Sequence, residues 1–289
     1  MLAARRLSIV TASAVIALAV AGPARAQGNS NGKGNGNGHK SSPPSSSPLP
    51  GQQGTISGAS PLSWVDDASL LAPGSMSLTI SALRWSGADL TEVDAPIVDA
   101  SVGLTKRFQL GASVPHIVGS ADGTGPVGGL GTSYISGKVA ILSEPEVKVA
   151  VSPVLEILGA GAFQALPAGD SRYQLGLPIS LEVAQGPVRI FAATGFFTRG
   201  AWFAGGGTGF QLGPRTAASL SFTRSWATTD VEGIHRDRRE VSGGVSQFLT
   251  QQVAVYGTVG HTIATTDENG AGMSVGGGVT FLLTAVLAK

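Results

Sequence analysis

The chain contains no cysteine, and charged residues make up just 13% of its 289 positions. The first absence removes disulfide scaffolds, thiolate zinc sites and a lipid-modified N-terminal cysteine. Acidic and basic residues number 18 and 19 and are mixed along the chain, which leaves no basic stripe with interleaved aromatics for nucleic acid. Uninterrupted apolar runs are scarce too. Apart from Leu7 to Ala21, nothing approaches the roughly 18 to 20 residues that a membrane helix requires, so a helical membrane protein is excluded. His39 stands beside Lys40 without a second ligand, and His116 and His261 close strand-like runs. No metal or other cofactor is expected.

What the chain does have is glycine, 42 residues of it, and a two-residue hydrophobic period. The period is clearest from Glu146 to Ala184. Val147, Val149, Val151, Leu155 and Ile157 share one face of the first run, and Lys148, Ala150, Ser152 and Glu156 share the other. After a Gly/Ala-rich connection, Tyr173, Leu175, Leu177, Ile179, Leu181 and Val183 oppose Gln174, Gly176, Pro178, Ser180 and Glu182. Successive side chains on a strand leave opposite sides of the sheet. These are therefore two strands of about ten residues each, with one face suited to hydrocarbon and the other to water, as in the wall of a transmembrane barrel.

Arg5 and Arg6, the apolar run after them, and Ala24, Arg25 and Ala26 predict a signal peptide over residues 1–26. Residues 27–58, rich in Gly, Asn, Ser and Pro, bury too little apolar surface to offset their ordering entropy and are expected to be a disordered leader. Residues 59–74 form a pre-barrel segment in which Trp64, Leu70 and Leu71 flank Asp66 and Asp67. Two courses are open to it: up to the periplasmic rim, or into the lumen. The barrel follows over residues 75–286.

Within it the alternation predicts about twelve strands. They start from Ser75 and continue as Val93 to Leu104, Arg107 to Val118, Gly131 to Leu142, Glu146 to Leu158, Ser171 to Ala184, Pro187 to Phe197, Trp202 to Leu212, Arg215 to Trp226, Arg239 to Leu249, Gln252 to Ile263 and Met273 to Thr284. Connections alternate between tight turns, such as Thr105-Lys106 and Gln185-Gly186, and longer polar or glycine-rich loops, such as Gly159 to Asp170 and Ala227 to Arg238. The fold expected is all-β, an antiparallel up-and-down transmembrane barrel, because bacterial barrels join an even number of strands by short periplasmic turns and longer outer loops. A soluble β-sandwich does not need that rhythm. Arg224 falls in phase with Leu220, Phe222 and Trp226 on the lipid face, where a cation at the midplane would cost about 2 to 4 kcal/mol. Its place near a strand end puts it at headgroup level beside Trp226. The chain closes on Val286 to Lys289 rather than on an aromatic residue, which leaves Phe281 as the nearest docking signal for the barrel-insertion machinery.

Gly103 to Pro115, with Val65 to Gly74 before it and Gly276 to Phe281 at the end, resembles a broad group of outer-membrane barrels. That group includes proteins of the meta-cleavage pathway of phenol degradation that are regarded as transporters. The resemblance is one of pattern over about Pro61 to Leu283. It implies an outer-membrane barrel and passage of small molecules, and it brings no catalytic residue and no named substrate.

On the polar phase the lumen receives Asp99, Lys138, Lys148, Glu156, Glu182, Arg189 and Glu240. Opposite charges in a confined lumen are expected to pair and leave a weak net field, unlike the single-sign rings of strongly ion-selective pores. Gly272 to Gly276 spells G-x-S-x-G, but a nucleophile elbow needs a helix after its turn, and another strand pattern follows. Gly205 to Gly209 has no Lys or helix after it to make a phosphate loop. No catalytic residue is expected. His235 to Glu240 is the densest charge run, read either as a solvated outer loop or as a patch for lipopolysaccharide phosphates. The expected partners are outer-membrane lipid and lipopolysaccharide, the insertion machinery and a small-molecule solute. The expected function is a narrow channel or transporter for small molecules, apolar or aromatic ones included, in a bacterial outer membrane. The alternatives are a structural or surface-interaction barrel with a closed lumen, and a soluble secreted β-sandwich.

Overall fold

The computed structural model describes residues 68–87, 90–121, 125–160, 163, 169–198, 200–227, 237–266 and 271–284. The expected signal peptide and leader, residues 59–67 of the pre-barrel segment, and His235 and Arg236 lie outside the described residues.

Fifteen strands form one antiparallel sheet: β1 Ser75–Ser86, β2 Leu90–Thr105, β3 Phe108–Ala121, β4 Gly125–Leu130, β5 Ser133–Ser143, β6 Val147–Val151, β7 Val154–Ile157, β8 Tyr173–Gly176, β9 Ile179–Gln185, β10 Val188–Phe197, β11 Ala201–Gln211, β12 Thr216–Ala227, β13 Asp237–Phe248, β14 Val253–Thr265 and β15 Met273–Thr284. The sheet closes on itself, since β1 pairs with β15 from Ser75 opposite Thr284 to Ser86 opposite Met273. The result is a closed barrel of twelve wall strands.

Twelve walls arise from fifteen strands for identifiable reasons. Pro153 and Pro178 lack the N–H that a ladder needs, so two wall strands are each written as two pieces, β6 with β7 and β8 with β9. The wall stays continuous across the breaks: Ser152 N–H donates to the Pro178 carbonyl at 2.8 Å, and Gly137 N–H donates to the Pro153 carbonyl at 2.9 Å. The remaining extra strand, β4, lies in a stretch that reads as loop and pairs with the outer end of β3. The β2–β3 hairpin is longer than the alternation indicates because pairing runs on to Leu90 opposite Ala121.

The outer wall is apolar. Ile80, Val98, Val114, Ile135, Leu175, Ile190, Leu220, Val245, Val259 and Val275 all stand exposed on it, an arrangement that is costly in water and favourable in hydrocarbon. Outward aromatics bracket this band, with Tyr173, Trp202 and Trp226 toward the long loops and Phe210 toward the short turns. Trp202 and Phe210 are about 26 Å apart along β11, and strand tilt brings this close to the height of a barrel's apolar band.

Candidate functional site

The candidate site is the barrel interior, and part of its contents comes from outside the wall. Residues Ala68 to Gly74 run within the barrel before β1 begins, so the described part of the pre-barrel segment takes the lumen course. The Gly74 N–H donates to the Gly103 carbonyl and the Leu71 N–H to Gln109 Oε1, both at 2.7 Å, which fastens the segment to β2 and β3. Gly103 permits this approach. A Cβ at that position would stand 2.4 Å from the Ala72 carbonyl oxygen and 2.5 Å from that of Leu71.

Next along the wall, β5, β6 and β9 clasp Ser69. Lys148 Nζ donates to Ser69 Oγ at 2.8 Å and to Glu182 Oε1 at 2.9 Å, while Ser69 Oγ donates to Glu182 Oε2 at 2.8 Å. Lys138 Nζ donates to the Ser69 carbonyl at 3.3 Å, and Arg189 Nη1 lies 3.6 Å from Glu182 Oε2. The Glu182 side chain is 3% exposed. A buried carboxylate is tolerable there because charge-assisted hydrogen bonds and two cations compensate its lost hydration. The segment therefore lies inside the barrel against five successive wall strands, β2, β3, β5, β6 and β9, at the short-turn end.

A second cluster occupies the long-loop end. Arg238, 2% exposed, donates from Nε to Glu240 Oε1 at 2.7 Å and from Nη2 to Thr262 Oγ1 at 3.0 Å. Its guanidinium lies 5.3 Å from the centre of the Trp85 ring. Tyr134 Oη donates to Glu156 Oε1 at 3.2 Å, and Glu92 and Asp94 are buried on the same interior surface. Leu83 of β1 packs against Tyr134 and Val154, a contact that reaches over the intervening β2 and β3.

Between these clusters, β10 and β11 carry an aromatic wall. Phe191, Ala193, Phe197 and Phe203 form one buried group, and Arg189 stacks on Phe191 at 5.4 Å. The rings have room because glycines stand beside them on the paired strands. A Cβ on Gly176 would stand 2.4 Å from the Phe197 ring, and one on Gly195 2.4 Å from the Phe203 ring. Glycine thus makes room for apolar surface without filling the bore.

Asp99, Lys138, Lys148, Glu156, Glu182, Arg189 and Glu240 all stand on this interior phase. Lys148, Glu182 and Arg189 are brought together with Lys138 around Ser69. Glu156 and Glu240 belong to the other end, and Asp99 lies on β2 opposite Ser113 of β3. Glu92, Asp94 and Arg238 are interior charges that the alternation alone does not identify. A register shift between Asp94 and Ile97 reverses the phase of β2, and β13 starts at Asp237 rather than at Arg239. The parity Arg238 shares with Glu240 was the available signal. Among the described residues, no group of three His, Cys, Asp or Glu is arranged to hold a metal ion. Ser274 of the G-x-S-x-G run sits within β15, opposite Gly260 and Trp85.

No family model matches the chain, and no curated protein matches its sequence. Solved structures do match its fold. An outer-membrane channel from Pseudomonas putida F1 has a TM-score of 0.58 at 12% identity, covering 75% of this chain and 98% of that one. The NanC porin gives 0.53 at 12% identity over 71% of this chain and 98% of its own. The KdgM porin in complex with disordered oligogalacturonate gives 0.51 at 8% identity, again over 71% and 98%. Likeness at such low identity speaks to architecture alone, and the architecture is that of an outer-membrane β-barrel.

Proposed function

We propose that this barrel is a narrow, non-enzymatic channel by which small solutes, aromatic ones among them, cross a bacterial outer membrane. The observation that carries the reading is the phenylalanine wall seated over glycines, with Arg189 stacked on Phe191. An aromatic surface beside a paired-charge track holds an aromatic anion weakly on both sides, and weak, repeated contact is what passage needs. The resemblance to barrels of phenol degradation supports the same solute class, and the fold likeness to a channel and two porins supports passage.

Liposome swelling tests it with benzoate, which lipid excludes as its sodium salt, against gluconate. Vesicles holding the refolded protein should admit benzoate faster, and Phe191→Ala with Phe203→Ala should abolish that preference while sparing small-ion current. Equal entry of both solutes through the wild type would refute the aromatic assignment. A second reading, a closed structural barrel, is favoured by the Ala68 to Gly74 segment inside the bore and by the Leu83 contact that reaches over β2 and β3. Absence of any current through folded wild-type protein would establish it in place of the channel.

A further inference from the structure

On the outer wall at the long-loop end, Arg224 of β12 and Arg239 of β13 are direct cross-strand partners. Their side chains are 47% and 45% exposed. Both hold Asp237: Arg224 donates from Nε to Oδ1 at 3.1 Å and from Nη2 to Oδ2 at 2.9 Å, and Arg239 donates from Nη2 to Oδ2 at 3.1 Å. The Arg224 guanidinium also lies 5.2 Å from the centre of the Trp226 ring, and Trp226 pairs with Trp202. Immediately toward the middle of the wall come the exposed Leu220, Val241 and Val245.

Among the described residues, two cations share one anion, so the patch keeps a net positive charge. The Arg224 guanidinium plane is already fixed by a bidentate carboxylate and an indole face, and Arg239 is tethered to the same carboxylate by one contact. The patch sits where apolar wall gives way to aromatic residues, the level of headgroups. Because the long loops mark the external side, the leaflet concerned is the outer one. We propose that Arg224 and Arg239 form a docking site for the phosphorylated sugar headgroup of an outer-leaflet glycolipid of the lipid A type. Guanidinium forks suit phosphate oxygens better than lysine would, and Leu220 and Val241 below offer the surface along which the acyl chains lie.

The test uses the folded full-length chain in detergent, titrated with diphosphoryl lipid A and read by native mass spectrometry. Losing two charge-assisted contacts, Arg224→Gln with Arg239→Gln should weaken binding by about tenfold or more. Dephosphorylated lipid A should bind the wild type as weakly as diphosphoryl lipid A binds that variant. Asp237→Asn, which removes the competing anion, should tighten binding several-fold, a result that a merely structural ion pair would not give. Arg84→Gln, an outward cation on β1, should change nothing. An undiminished affinity in the double variant, an equal loss with Arg84→Gln, weaker binding with Asp237→Asn, or displacement of lipid A by excess inorganic phosphate would each overturn the proposal, the last by revealing a free-anion site.

Discussion

The contact at Gly103 offers a graded perturbation of the bore. An alanine there would bring Cβ to 2.4 and 2.5 Å from two backbone oxygens, where ordinary contact begins at 3.4 Å. These oxygens belong to the Ala68 to Gly74 segment and cannot swing aside as a side chain could. The segment is held by two neutral hydrogen bonds and by three involving Lys138, Lys148 or Glu182, together about 6 kcal/mol at the low end after exchange with water. Overpacking by one carbon costs about 1 to 3 kcal/mol, less than the segment's hold. Gly103→Ala should therefore strain the barrel and leave its conductance near the wild-type value. Gly103→Leu sets four carbons in the path, exceeds the hold and should release the segment, raising single-channel conductance several-fold in planar bilayers. Retained faster migration of unboiled protein would show that both variants fold. A folded leucine variant with wild-type conductance would refute the claim that this segment limits the bore.

Two further perturbations test the two faces of the wall. Leu220→Lys, at the middle of β12 and facing outward, should cost about 2 to 4 kcal/mol and lower folding yield into lipid vesicles, while Ser219→Lys, turned inward one residue away, should fold as well as wild type; equal yields would reverse the assignment of faces. Glu182→Gln leaves Lys148 and Arg189 without their shared carboxylate. It should shift ion preference toward anions in reversal-potential measurements and destabilise the barrel by about 1 to 3 kcal/mol, the lumen's water moderating the larger cost of a fully buried break.

Much of this architecture is legible in the chain because a lipid-facing wall imposes a strict period of two. Ile190 and Leu220 declare their face without any knowledge of their neighbours, and so do Lys148 and Glu182. The period cannot show where it slips. The register shift in β2 hides Glu92 and Asp94, and nothing in the local pattern distinguishes Pro178, which interrupts a wall strand without ending it. Long-range contacts are hidden for a different reason. That Ser69 meets Glu182, or that Leu83 packs against Tyr134 and Val154, depends on which strands the closed sheet brings together, and no short stretch of sequence contains both partners.

The interior charges are sorted along the axis as well as paired. Lys138, Lys148 and Arg189 gather with Glu182 toward the short turns, while Asp94, Glu156 and Glu240 gather with Arg238 toward the long loops. A bore with little net charge thus carries a standing axial dipole. A solute bearing both an amine and a carboxylate would feel a torque on entering, its amine drawn to the outer acidic half and its carboxylate led inward to the basic one. If the proposed channel passes such molecules, this dipole favours one orientation of entry over the other.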